Sequence, residues 1–307
     1  MFHKITAIQR RELTGFIYII PWIIGFICFQ FFPISYSLFI SFTKWDILGT
    51  PEVIGFTNYI NLFGKDPVFQ KAISNTVMYM FISNGLGIIL ALFLAALLYE
   101  KIPGKGVFKV IFFLPNLVLP VAFGMMMRPV FGSEDFGLIN LITGFFGLKP
   151  VYWLEDARVA IWVLIFTNLW FVGACMVIFL AAISGHPPSL YEAAEMDGAG
   201  WWRKFFSITL PLLTPVIFFQ VIMGLIGGLQ VFDIAAALSV MGGNVTGLMG
   251  KQNCLATLVY YLYIKGFRYW KMGSACSIGW VIFSLGFILT FIIVTFMRKS
   301  KKLYLGY

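Results

Sequence analysis

Apolar residues gather along this chain in six long runs, at 15–42, 76–99, 110–127, 159–183, 210–229 and 273–297, separated by stretches that carry most of the charges. Each run approaches the ~20 residues that a helix needs to cross a bilayer. Helices are expected there because lipid offers nothing to satisfy free backbone amides and carbonyls. Pro21 and Pro33 kink the first run, and Pro115 and Pro120 interrupt the third on either side of Asn116. Interrupted helices are tolerated where they are buried in protein or line a cavity, which makes Asn116 a candidate cavity residue. The first run is too long for a signal-peptide core and lacks a small-residue cleavage site, so it is expected to remain as a span.

The polar stretches predict an orientation. Lys4, Arg10 and Arg11 precede the first run, Lys101, Lys105 and Lys109 crowd the link after the second, and Arg298, Lys299, Lys301 and Lys302 follow the last. Positive residues concentrate in cytoplasmic segments, so 1–14 and 298–307 are expected inside, around a six-span domain at 15–297. The stretch 184–209 then also lies inside. Residues 44–72, 128–158 and 230–272 become outer connections, the first with room for a short helix and the second carrying Glu134, Asp135, Glu155 and Asp156. Within the spans, Thr167, Trp170, Phe171 and Ala174 share one helical stripe by their spacing. Gln220, Gly224, Gly227, Gly228 and Val231 share another. Gly224 and Gly228 form the G-x-x-x-G spacing that brings backbones together, and Asn84, Gly85 and Gly87 suit the same close contact.

The stretch from Glu192 to Pro211 is a sizeable amphipathic, charged segment between two apolar runs. Leu190, Ala193, Ala194 and Met196 alternate with Glu192, Glu195 and Asp197 at helical spacing. Ser189 and Glu192 match a capping box, Pro187 and Pro188 stop the preceding helix, and Gly198 and Gly200 permit a left-handed helix end. Trp201, Trp202, Phe205 and Phe206, mixed with Arg203 and Lys204, predict a second short helix on the membrane surface.

Composition narrows the function. The chain is 60% hydrophobic and 11% charged, against about a quarter charged in soluble domains, so it is read as a multi-spanning membrane protein. Its net charge of +9 then suits an anionic membrane face rather than nucleic acid. Cys28, Cys175, Cys254 and Cys276 have no C-x-x-C spacing and the histidines are only His3 and His186, so no metal site is expected. No converging acid, base or metal set suggests catalysis. Gly104-Lys105 and Gly250-Lys251 lack the rest of a phosphate-binding loop.

One pattern goes further than composition. Glu192-Ala193-Ala194, three residues, Gly198, nine residues, then Ile208-x-Leu210-Pro211 closely resembles the cytoplasmic coupling loop of ABC importer permeases. Phe179-Leu180-Ala181-Ala182-Ile183, Leu190-Tyr191, Asp197-Gly198-Ala199, and Phe232-Asp233 followed by Gly242-Gly243 resemble the carbohydrate-uptake branch, the maltose- and glycerol-phosphate-permease type. Val240 and Asn244 depart from that branch, where threonine and proline are usual.

The resemblance implies an all-α membrane protein with six transmembrane helices and a cytoplasmic coupling-helix loop. It would be a transport subunit for a sugar or oligosaccharide, and not an enzyme. Implied partners are a second homologous permease, two ATPase subunits that bind ATP and Mg, and an extracytoplasmic solute-binding protein, in a bacterial or archaeal plasma membrane. Glu192, Ala193, Ala194, Asp197, Gly198, Ile208, Leu210 and Pro211 are the expected coupling residues. Asn116, Thr167, Trp170, Phe171, Gln220 and Gln230 are candidates for the sugar path, as groups that stack on or hydrogen-bond a pyranose. Asp233 is expected to orient the loop at the outer mouth. A non-sugar solute such as a glycerol-phosphate compound is the alternative. An ion-coupled transporter would need ionisable groups in the spans, which hold almost no acidic residues. A non-transporting receptor would leave the coupling pattern without a task.

Overall fold

The computed structural model describes residues 18–100, 102–132, 137–239 and 249–305, with side chains to 297, and these are largely helical. In chain order, α1 (Tyr18–Ser41) leads to a two-stranded antiparallel hairpin, β1 (Thr43–Lys44) and β2 (Glu52–Val53), with Thr43 opposite Val53. Then follow α2 (Thr57–Lys65), α3 (Pro67–Tyr99), α4 (Lys105–Phe113), α5 (Pro120–Met127) and α6 (Leu138–Gly144). Next come α7 (Ala160–Leu169), α8 (Gly173–Ser184), α9 (Pro188–Met196), α10 (Trp201–Lys204) and α11 (Leu210–Leu229). The chain closes with α12 (Asp233–Ser239), α13 (Leu258–Tyr263) and α14 (Met272–Leu305). Among the described residues, five helical stretches are long and apolar enough to span a membrane, or six if a bent pair forms one span.

Several boundaries differ from the apolar runs. The second span starts at Pro67 rather than 76, because Asp66 caps it and Pro67 occupies its first turn. The polar residues at the expected boundary are satisfied inside the protein. Asn75 Nδ2 donates to the carbonyls of Cys254 and Ala256, both at 3.0 Å, and Thr76 Oγ1 accepts from the Leu258 amide at 2.9 Å. The third run is not one interrupted helix: Lys105–Leu117 and Pro120–Met127 meet at 96°. Val118 and Leu119 are extended, as residues before a proline tend to be, and Pro120 begins a new helix. The basic tail, read as separate, continues α14 as far as Leu305.

The fifth span is already helical at Trp201, so no separate surface helix precedes it. α10 passes into α11 through a wide π-type turn at Phe205–Thr209. Pro211 explains the widening: it has no amide to donate to the carbonyl four residues back, and its ring crowds that carbonyl.

α3 lies at the centre, packed by α7, α8 and α11. Phe179, Met176 and Leu213, all fully buried, fill the core between α3, α8 and α11. A second core joins α3 and α7 to α12, α13 and α14. The α3–α11 contact depends on small residues: a Cβ at Gly228 would lie 2.9 Å from the Met80 Cα, and one at Gly224 would lie 1.9 Å from Asn84 Oδ1. Large apolar residues such as Trp22, Phe29, Phe283 and Phe287 face outward. That is stable here, because lipid is the surrounding solvent.

On the side of the α3 N-terminus, Asp66 ties α13 down. Its Oδ1 accepts the Val68 and Phe69 amides at 3.1 Å. Its Oδ2 accepts Tyr261 OH at 2.5 Å and Lys265 Nζ at 3.0 Å. Burial pushes this carboxyl's pKa up, but the hydrogen bonds from Tyr261 and Lys265 outweigh it, leaving the net shift downward. Burial and the adjacent carboxylate push the Tyr261 phenol the opposite way.

Candidate functional site

The coupling stretch is built on α9, bounded by two backbone devices. Pro188 sits in its first turn with Pro187 as N-cap, so helix starts one residue before Ser189. The expected Ser189–Glu192 capping box therefore does not form, and no side chain caps this end. At the other end Gly198 has φ +73°. Its amide bonds to the Glu195 carbonyl at 3.0 Å, and the Ala199 amide to that of Ala194 at 2.9 Å. This is the Schellman arrangement, which needs the left-handed backbone that glycine adopts without strain. Gly200 is not left-handed; it is the extended N-cap of α10.

α9 buries no residue, so its two faces are distinguished by their contacts. On the face turned to the spans, the Tyr191 ring packs on Tyr99 at 5.5 Å and its hydroxyl lies 3.1 Å from Thr209 Oγ1 and 3.3 Å from His186 Nδ1. One turn on, Glu195 pairs with Lys204 at 2.7 Å. Burial raises the Tyr191 phenol and lowers the His186 imidazole. Helical geometry turns Ala193 away from Tyr191, with Glu192 and Met196 on the flank beside it; all three are exposed, Met196 at 89%. An unsupported methionine and a small residue beside a carboxylate suit contact with another protein.

The eight coupling candidates thus divide. Glu192, Ala193 and the Asp197–Gly198 turn are exposed, whereas Ala194 is half-buried toward the spans. Ile208 is half-buried in the wide turn, Leu210 packs into the α3–α8–α11 core, and Pro211 sits in the first turn of α11. These last three shape the wide turn and the start of α11 rather than the exposed face.

Two adjoining cavities, of about 340 and 260 Å³, open along α3, α7 and α11, the smaller reaching α8 at Cys175. They share Ser83, Asn84, Asn168 and Gly224. The larger is closed by Tyr79, Pro120, Gln230, Phe232 and Asp233, and the smaller by Phe171, Cys175 and Gln220. The amides are held: Asn168 Nδ2 donates to Ser83 Oγ at 2.9 Å, Asn84 Nδ2 to the Val221 carbonyl at 3.2 Å, and Gln220 Nε2 to Cys175 Sγ at 3.0 Å. Such a groove offers aromatic faces and fixed uncharged hydrogen-bonding groups.

Of the six path candidates, Gln220, Gln230 and Phe171 line this groove. Thr167, Trp170 and Asn116 line neither cavity. Thr167 is buried and donates to the Val163 carbonyl of its own helix at 2.6 Å. Trp170 is 60% exposed and lies beside Phe123 at 6.2 Å. The expected stripe through 167, 170, 171 and 174 fails because a 3-10 turn, Trp170–Val172, turns the helix there. Asn116, at the bend after α4, bonds to the Phe113 carbonyl at 3.3 Å.

Sequence reasoning missed Ser83 and Asn168 and read Asn84 as packing alone. A polar side chain deep in an apolar span was the available signal. Asp233 begins α12 at the groove's edge, next to Phe232, whose ring meets Tyr260 and Tyr263 at 5.7 and 5.2 Å. The Gly242-Gly243 pair, Val240, Asn244, Glu134, Asp135 and the segment 1–14 lie outside the described residues.

Comparison with known proteins identifies the family and the fold. The family model for the binding-protein-dependent transport system inner membrane component matches residues 83–302. The chain is 35% identical over 295 residues to the probable ABC transporter permease protein YesP of Bacillus subtilis (strain 168), covering 94% of this chain and 92% of that one. It is 32% identical over 299 residues to the lactose transport system permease protein LacF of Rhizobium radiobacter, covering 94% and 96%. A chain in a crystal structure of a bacterial alginate ABC transporter, in complex with an alginate pentasaccharide-bound periplasmic protein, superposes with a TM-score of 0.80. Its sequence identity is 22%, over 95% of this chain and 96% of that one, which is likeness of fold.

Proposed function

We propose, from the premise that this chain belongs to the family of binding-protein-dependent transport system inner membrane components, that it forms half of the path by which an ATP-driven importer moves a sugar or oligosaccharide. The observation that carries this reading is that one helix serves both ends of the task. α11 lines the groove with Gln220 and Gly224, and through the wide turn it continues into α10, directly after the exposed stretch on α9. Movement at α9 therefore has a short covalent route to the groove.

In this reading Glu192, Ala193 and Met196 seat in a cleft of a partner ATPase, which binds ATP and Mg. ATP-driven closure of a pair of such subunits shifts α9 and swings α11 against α3, opening the groove to solute delivered by an extracytoplasmic binding protein. A second permease faces the groove and completes the path. Ser83, Asn84, Asn168, Gln220 and Gln230 hydrogen-bond sugar hydroxyls, while Tyr79, Phe171 and Phe232 offer ring faces. Both termini are cytoplasmic in the plasma membrane of a bacterium or archaeon. The relatives' sugar-transport names favour a saccharide over a glycerol-phosphate compound, and the groove lining adds no lysine, arginine or histidine to hold a phosphate.

The test is uptake of radiolabelled oligosaccharides by proteoliposomes holding this chain with a partner permease, an ATPase and a binding protein. ATP-dependent uptake of a neutral oligosaccharide is expected. Uptake confined to a glycerol-phosphate compound, or independent of ATP, overturns the assignment.

A further inference from the structure

α9 is a lever without a buried side chain. A helix of this kind moves its neighbours only if something besides its flanking turns makes it one body with them. Pro187 gives no side-chain cap at one end, and Gly198 turns through open space at the other, where an added Cβ would meet nothing within 4 Å. The ties must therefore come from the face turned to the spans.

We infer that Tyr191 is the positioning residue that locks α9 to α11, through a strut from its hydroxyl to Thr209. Three facts single it out. Thr209 is buried at the last position of the wide turn, immediately before α11 begins. The Tyr191 ring also touches Tyr99, the last residue of α3, and its hydroxyl meets His186 just after α8, so one side chain reaches all three helices that form the inner core. The second tie on the same face, Glu195–Lys204, is 61% exposed on its acid side, and exposed pairs are weak and screened by salt. The Tyr191–Thr209 contact is sheltered at 3.1 Å, and the other bond of Thr209 Oγ1, to the Lys204 carbonyl of its own helical stretch, is long at 3.5 Å, so losing Tyr191 leaves the buried hydroxyl poorly satisfied. The strut therefore carries the register of α9 relative to the groove.

This inference rests on the transport reading for its consequence, but not for its physical content. The test uses the assembled complex with Tyr191→Phe, which keeps the ring on Tyr99 and removes the hydroxyl, and Thr209→Val, which removes the other end. Two quantities are read: amide hydrogen exchange in 188–199, and saccharide moved per ATP hydrolysed. Each variant is expected to speed exchange in α9 and to lower the transport ratio by roughly tenfold, about the effect of losing one sheltered hydrogen bond, while hydrolysis itself continues. Because both substitutions cut the same contact, the double variant should be no worse than either single one.

Wild-type exchange in Tyr191→Phe, or losses that multiply in the double variant, overturns the strut. A merely structural role would lower the yield of assembled complex and leave the ratio unchanged in what assembles, which also overturns it. If the wild-type complex moves no saccharide while exchange in α9 still answers to both variants, the transport reading fails and the strut stands.

Discussion

Two glycines on one face of α11 should fail in different ways when a single methyl is added. At Gly228 the new Cβ would sit 2.9 Å from the Met80 Cα and 3.0 Å from its Cβ, so the obstacle is the backbone of α3. Ordinary contact begins near 3.4 Å, and the two helices must part by roughly half an ångström along the contact. Overpacking of that kind costs about 1–3 kcal/mol. At about 2 kcal/mol, folded relative to unfolded chain falls about thirtyfold. At Gly224 the Cβ would sit 1.9 Å from Asn84 Oδ1, the far end of a side chain that can swing aside. What is lost is the Asn84 hydrogen bond to the Val221 carbonyl, about 0.6 kcal/mol for an average bond of this type in a membrane. The displaced amide then projects into the groove. Gly228→Ala should therefore unfold at clearly lower denaturant in mixed micelles. Gly224→Ala should unfold near wild type yet transport several-fold more slowly in proteoliposomes. Equal stability losses, or unimpaired uptake by Gly224→Ala, would show that the helix contact has been misjudged.

Other consequences can be measured separately. Gly198 has open space around it but φ +73°, so the left-handed backbone alone decides: Gly198→Val should cost about 2 kcal/mol or more at the α9 end and uncouple hydrolysis from uptake, whereas Gly198→Asn should keep most coupling. Asp66, with its pKa held below the ordinary 3.8, adds stability that is fully present above that value and lost as pH falls through its lower folded value. The gap between wild type and Asp66→Asn in denaturant titrations should accordingly be wide at about pH 7 and close below about pH 4; a gap independent of pH would refute the assignment. Asn168→Ala should slow uptake several-fold through loss of a groove amide, while Thr167→Val, one residue away but turned into its own helix, should leave initial rates within about twofold; equal effects would argue against the groove.

Much of this protein could be read from local pattern. The approximate places of the spans, the α9 helix with its Gly198 turn, and the family resemblance all rest on features that act within a few residues: the length of an apolar run, the spacing of a motif, the backbone freedom of glycine. Partial errors arose where the local pattern was incomplete. The span was expected to begin only at Thr76, after Asn75, because the partners of Asn75 at Cys254 and Ala256 lie far away in sequence. The Thr167–Ala174 stripe assumed an unbroken 3.6-residue period across a turn that is 3-10.

The groove belonged to the second kind of information. Ser83, Asn84, Asn168 and Gln220 come from three separate spans, and their nearness depends on α3 being approached closely at Gly224 and Gly228. Likewise, the coupling pattern named a stretch, but only packing against Tyr99 and Thr209 turned Tyr191 and Ala194 inward and left Glu192, Ala193 and Met196 outward. Hydropathy places a helix in the membrane, since transfer from water to lipid sums along a segment. Which side of that helix meets a neighbour is set by interdigitated side chains and hydrogen bonds between distant segments, and that choice was made only when the helices packed.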